Sequence, residues 1–193
     1  MTHSSSIYLA IEGIDGTGKT FVANHIAEKF GFSVLREPSS GTIGRLIGEN
    51  SWDPTTDFFL FMADRTVILK DVERTGRVVS DRSLYSSYAY QGYYLKNLFG
   101  SLDAYFDFFM NTAKLLPVLP THVFLLYCDI DVALGRVMKR GPASRFEKRE
   151  YLEEVQKLYF SLKERLKNVV PIDSNGTLEE LFGAVDKQVI KLL

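Results

Sequence analysis

The stretch Ile7-Tyr-Leu-Ala-Ile-Glu-Gly-Ile-Asp-Gly-Thr-Gly-Lys-Thr20 decides how this chain is read. Gly13 to Thr20 fits G-x-x-x-x-G-K-[ST], a loop that cradles phosphate. A short apolar run of strand length, Ile7 to Ile11, precedes it. After it, Val22, Ile26 and Phe30 recur at helical spacing. Strand, loop and helix are the context the motif needs. Its glycines allow successive N–H groups to turn inward around phosphate oxygens, and the helix adds the positive end of its dipole. Gly13, Ile14, Asp15, Gly16, Thr17, Gly18, Lys19 and Thr20 are therefore candidate phosphate-donor residues. Lys19 can reach the outer phosphates, and the Thr20 hydroxyl suits Mg²⁺. A glycine-rich turn arising by chance would not carry all four motif positions and both flanks.

Length and composition set limits. The chain has 193 residues, enough for one domain spanning 1–193 with a real core. At 46% hydrophobic and 24% charged it has the proportions of a globular domain. A net charge of −1 provides no global field for nucleic acid or an anionic membrane. The single cysteine, Cys128, excludes an internal disulfide framework and reads as buried filler. Met1 to Ser6 is short and polar, and no stretch approaches membrane-spanning length. A cytoplasmic protein without a membrane partner is expected.

Working outward, strands and helices alternate. Strands are predicted at Phe32–Leu35, Arg77–Ser80, His122–Cys128 and Val169–Ile172, besides the first. Helices are predicted at Ile43–Glu49, Pro54–Glu73, Leu84–Leu95, Leu102–Leu115, Asp131–Lys139 (from an acidic cap), Glu147–Lys167 and Leu178–Leu193. This is an α/β protein with a five-stranded parallel sheet covered on both faces. Ligands of such sheets lie beyond the carboxyl ends of the strands. The segments to inspect are the loop after the first strand, Arg36 to Gly41, Asp81-Arg82, Asp129 and Asp173.

Asp81 can hold Mg²⁺ or its waters opposite the loop, and Arg82 can bridge two phosphates; the plain alternative is a surface ion pair of little worth. Asp81-Arg-Ser-Leu-Tyr-Ser-Ser-Tyr-Ala-Tyr-Gln-Gly92 resembles the D-R-[YH]-x-x-S-x-x-A-Y-Q-G stretch of thymidylate kinases. Glu12 to Thr20 resembles that family's phosphate loop, with its acidic residue at Asp15. Arg36-Glu37-Pro38, with Gly41 to Gly44, is similar to its R-E-P-G-G-T-x-I-G, and Leu60 to Arg65 to its L-F-x-A-x-R. Cys128-Asp-Ile130, Arg136 and Arg140-Gly141 are similar to its L-D-V…R…R-G. Ser39-Ser40-Gly41 depart from the family's paired glycines, and Ser83 from its Tyr or His. The segment between Asp129 and Arg136 is shorter than the common form.

The resemblance implies a P-loop kinase fold with a basic lid at about 139–147, and transfer of phosphate from ATP·Mg²⁺ to dTMP by a homodimer. It implies that Asp15 accepts from the deoxyribose 3′-OH and that Arg82 clamps the acceptor phosphate. It further implies that Phe61 stacks on thymine, Arg65 donates to O4, Ser86 and Ser87 complete the base edge, and Tyr90 excludes a 2′-OH. Glu37, Pro38 and Gln91 complete the acceptor set. The bland readings are core for Phe61, a solvated charge for Arg65 and helix packing for the serines. Tyr85, Tyr88, Tyr93 and Tyr94 suggest packing or dimer surface, and the three histidines no catalytic group. Lys19 is expected to be solvated without ligand. Some relatives place an arginine directly after the loop's acidic residue. Here that position is Gly16, so Arg140 and Arg145 of the lid, with Arg136 a turn earlier, are the candidate transition-state cations. Two other classes compete: a deoxynucleoside kinase, suggested by Asp-Arg-Ser, and a non-catalytic nucleotide-binding switch.

Overall fold

The computed structural model describes residues 6–49, 51–139 and 148–193. Its five strands are β1 (Ile7–Glu12), β2 (Ser33–Arg36), β3 (Arg77–Asp81), β4 (His122–Tyr127) and β5 (Val169–Asp173). They form one parallel sheet in the order β2-β3-β1-β4-β5. The order reverses direction around β1, so the phosphate-loop motif lies at the switch point where such sheets take ligands.

Alternation along the strands explains the two cores. Ile7, Leu9 and Ile11 of β1 share one face with Val79, Phe124, Leu126 and Ile172. That face is covered by Val22, Ala23 and Ile26 of α1 (Lys19–Phe30) and by Leu181, Val185 and Val189 of α10 (Leu178–Val189). Tyr8 and Ala10 point the other way, with Val78, Val123 and Leu125. They meet α5 (Leu84–Tyr90), α7 (Leu102–Ala113) and α9 (Arg149–Arg165). β1, β3 and β4 are buried through their middles and read as apolar runs in the sequence, whereas β2 at the sheet edge is largely exposed.

Helix bounds differ from expectation: α7, α9 and α10 stop short, at Ala113, Arg165 and Val189, and three further stretches differ as follows. The stretch from Pro54 forms α3 (Pro54–Ile68), then a 3₁₀ turn at Leu69–Asp71 and a short α4 (Val72–Thr75). Leu69 and Val72, three residues apart, both stay in the core through this irregular turn. The tyrosine-rich helix divides at Gln91 into α5 and α6 (Gly92–Leu95). A Cβ at Gly92 would fall 2.8 Å from the Tyr105 ring, so α6 packs too closely against α7 for any other residue. The helix after β4, α8 (Ile130–Met138), starts one residue early, and Asp129 at its cap position makes no side-chain cap bond. α2 (Thr42–Glu49) forms as expected. Cys128 is buried and free.

Candidate active site

Lys19 and the carbonyl of Ile14 set the loop's conformation: Lys19 Nζ donates to Ile14 O at 2.8 Å and lies 3.7 Å from Asp15 Oδ1. The lysine is 6% exposed, which corrects the expectation of a solvated side chain. Burial, reinforced by the Arg82 cation, draws its pKa down to about 8, although Asp15 and Asp81 oppose this. Thr20 Oγ1 donates to Asp81 Oδ2 at 2.5 Å, joining the start of α1 to the end of β3.

Asp15 is the hub of the site. It accepts from Arg82 Nη2 and, at 3.1 Å, from the Tyr90 hydroxyl. Burial alone would raise its pKa, but the Arg82 and Lys19 cations outweigh it and hold the carboxyl at about 2. Arg82 has φ 76, a left-handed conformation that costs a non-glycine residue about 1–3 kcal/mol. Its backbone N–H is fixed by Ile11 O at 3.0 Å, and its guanidinium lies 4.9 Å from the Tyr90 ring centroid. Asp81-Arg82 is thus no surface pair.

A cavity of about 460 Å³ opens beside Asp15. It is lined by Glu37, Pro38, Phe61, Arg65, Arg82, Ser86, Ser87, Tyr90 and Gln91, the whole acceptor set expected from sequence. Such a volume suits a small ligand. Phe61 is half-buried on the cavity wall rather than in the core, and the Arg65 guanidinium sits 5.4 Å from its ring centroid. Arg65 is not a solvated charge: it is 1% exposed, with Nε on Glu37 Oε2 at 2.7 Å. Nη1 donates to Ser87 Oγ at 2.9 Å and Nη2 to Ser83 O at 2.9 Å. The Glu37 carboxyl is raised by burial and pulled back by Arg65. Its other oxygen, Oε1, is buried without a hydrogen-bond partner among the described residues. Glu37 also lines a second, polar cavity with Asp15, Lys19, Thr20, Asp81 and Arg82, so it joins the two spaces.

On the loop's far side lies a third cavity, bounded by Gly16, Thr17, Gly18, Phe21, Arg136, Lys139 and Gly176 to Leu178. Arg136 Nη1 donates to Gly16 O of the phosphate loop at 3.4 Å. It donates to the carbonyls of Ser174 (2.7 Å), Asn175 (3.2 Å) and Gly176 (2.9 Å), fixing the loop after β5 against the phosphate loop. Arg140 and Arg145 lie outside the described residues.

Sequence reasoning assigned no role to three buried carboxylates, Glu12, Asp64 and Asp57, the last on the wall of the acceptor cavity. Glu12 accepts from Ser83, Ser86 and Tyr159, and Asp64 accepts from Ser39 N (2.8 Å) and Oγ (2.6 Å). Ser39 thus departs from the family's glycine by bonding to α3. An acidic residue ending an otherwise apolar strand was the available signal for Glu12. Tyr85 and Tyr88 are core, while Tyr94 is exposed. His25 pairs with Asp186 at 2.8 Å and stacks on Phe182, away from the site. Among the described residues no group of three or more His, Cys, Asp and Glu could hold a metal, and no helix is long and apolar enough to cross a membrane.

A family model described as thymidylate kinase matches residues 11–185. The chain is similar to a probable thymidylate kinase of Methanosarcina acetivorans, 34% identical over 197 aligned positions that cover 94% of each chain. It is also similar to proteins of the same description from Picrophilus torridus (31% identical, covering 99% of this chain and 97% of that one) and Methanocaldococcus jannaschii (32%, 93% and 94%).

Proposed function

This chain belongs to the thymidylate kinase family, and from that premise we propose that it transfers the terminal phosphoryl group of ATP to dTMP, giving dTDP and ADP. The observation that carries the reading is the common wall of the two cavities. Asp15, Glu37 and Arg82 line both the acceptor cavity and the polar cavity over Lys19 and Thr20. An acceptor phosphate at Arg82 would therefore face the donor phosphate at Lys19. A nucleotide switch has no use for the acceptor cavity.

An oxygen of the dTMP phosphate forms the new bond to the γ-phosphorus as its bond to the bridging β–γ oxygen breaks. That oxygen is already anionic, so alignment and charge neutralisation are the catalytic work and no strong base is needed. Lys19 and the loop amides hold the donor, and Arg82 holds the acceptor. Thr20 and Asp81 supply a hydroxyl and a carboxylate oxygen 2.5 Å apart, a hard-oxygen pair of the kind Mg²⁺ takes while keeping waters and phosphate oxygens as its other ligands. Held by Thr20 and Asp81, the ion would supply positive charge against the donor phosphates. Asp15 would take the 3′-OH, Phe61 the thymine face and Arg65 its O4. Arg136 acts by shaping the third cavity beside the phosphate loop, leaving Arg140 and Arg145 as the proposed transition-state cations. The reading implies one kinase domain, a cytoplasmic homodimer, and small-molecule partners rather than nucleic acid or membrane.

Coupled ADP release with dTMP, dUMP, dCMP, dGMP and thymidine tests this. The expected outcome is dTMP as the preferred acceptor. Preference for thymidine would favour the deoxynucleoside kinase, and ADP release independent of any acceptor would overturn both.

A further inference from the structure

Glu12 is a fully buried carboxylate that the transfer itself does not use, directly behind the acceptor clamp. We infer that it is the positioning residue for Arg82, acting through Ser83 and Ser86; the inference rests on the assignment of Arg82 to the acceptor phosphate.

Five donors converge on this one carboxylate. Oε1 accepts from Ser83 N (2.8 Å), Ser83 Oγ (2.6 Å) and Ser86 N (3.2 Å). Oε2 accepts from Ser86 Oγ (2.7 Å) and from the Tyr159 hydroxyl (2.8 Å). A carboxylate offers about four lone-pair sites, so Glu12 is saturated.

Two consequences bear on Arg82. The amides of Ser83 and Ser86 at the start of α5 are taken up by Glu12 and are not offered to an anion. Phosphate binding at this corner therefore falls to the Arg82 side chain. Secondly, Ser86 commits its proton to Glu12, so its oxygen lone pair is what Arg82 Nη1 meets at 3.3 Å. The Tyr159 hydroxyl, 3.0 Å from Ser86 Oγ, braces the same serine from α9. The backbone of Arg82 is anchored on Ile11 O, the residue before Glu12. The end of β1 thus fixes both the strained backbone and the guanidinium. Replacing the carboxylate by an amide frees the serine proton to rotate toward the guanidinium, where it repels.

The test uses the full-length enzyme and whichever monophosphate the wild type accepts. Glu12→Gln keeps the shape but removes acceptors. We expect KM for the monophosphate to rise about tenfold or more, the scale of one misplaced charge-assisted bond, while KM for ATP changes less than about twofold. Ser86→Ala and Tyr159→Phe should move in the same direction by less. In an Arg82→Ala background, Glu12→Gln should add almost nothing, because both act through one guanidinium. A merely structural Glu12 would raise both KM values alike and add its full effect to Arg82→Ala. Any of those results overturns the inference, as does an unchanged monophosphate KM. If Glu12→Gln does not fold, Ser86→Ala and Tyr159→Phe carry the same cycle. Absence of monophosphate-dependent ADP release in the wild type is instead the failure of the parent reading, and removes this one with it.

Discussion

Arg65 Nε and Glu37 Oε2 meet at 2.7 Å with both side chains 1% exposed, so the proposed base reader is also half of a buried ion pair. Removing one partner of such a pair strands the other charge. Arg65→Ala is expected to destabilise the fold by about 3–5 kcal/mol, read by urea unfolding. It should also narrow the preference for dTMP over dCMP. Cytosine presents an N4 donor where thymine presents O4, and a guanidinium can only donate. Equal proportional losses on the two substrates would remove Arg65 from base reading and leave it a structural role.

Lys19 gives a pH dependence with a definite sign. Its pKa in the fold, about 8, lies below the ordinary 10.5 because burial disfavours the charge. In that window the unfolded chain holds a proton that the folded chain lacks, so this residue makes stability rise with pH and penalises the fold fully below about 8. Phosphate at the loop restores the charged form, so ATP binding should take up a proton, and affinity should fall as pH rises through the window. Calorimetry in buffers of different ionisation enthalpy measures the uptake. Lys19→Met should abolish both the uptake and turnover; a persistent uptake would assign the titration elsewhere.

Gly16 cannot be given the arginine that some relatives carry there. Its φ is +91, and a Cβ would sit 2.4 Å from Ala133 O and 2.8 Å from Ala133 Cα of α8. Gly16→Arg is therefore expected to lower Tm and weaken ATP binding by about tenfold or more, through loop displacement and positive-φ strain. An arginine variant with higher kcat and unchanged Tm would contradict this packing argument.

Tyr90 separates a steric from a polar effect. Its hydroxyl donates to Asp15 Oδ2 at 3.1 Å, while its ring fills space beside the acceptor cavity. Tyr90→Phe should lower turnover by loosening Asp15 yet keep the deoxy-to-ribo preference. Tyr90→Ala should raise ribothymidine monophosphate use relative to dTMP. Comparing kcat/KM for the two nucleotides in both variants decides it, and an unmoved ratio in Tyr90→Ala would give the ring a packing role alone.

The sequence alone determined what is local or periodic, the phosphate loop between strand and helix and the five alternating strands, while the acceptor residues that line one cavity came from resemblance to a family. Loop backbone chemistry and strand alternation act over a few residues, so they can be read without coordinates. Tertiary structure decided what depends on contacts far apart in the chain. Lys19 is buried because the loop folds over it, and Arg65 is neutralised by Glu37, 28 residues away. Arg136 ties the carbonyl of Gly16 to those of Ser174 to Gly176, about 40 residues on. Glu12 joins Tyr159 across 147 residues. No local pattern encodes which donor reaches a buried carboxylate; that follows from the sheet order, which sets the end of β1 beside β3 and packs α5 against α9.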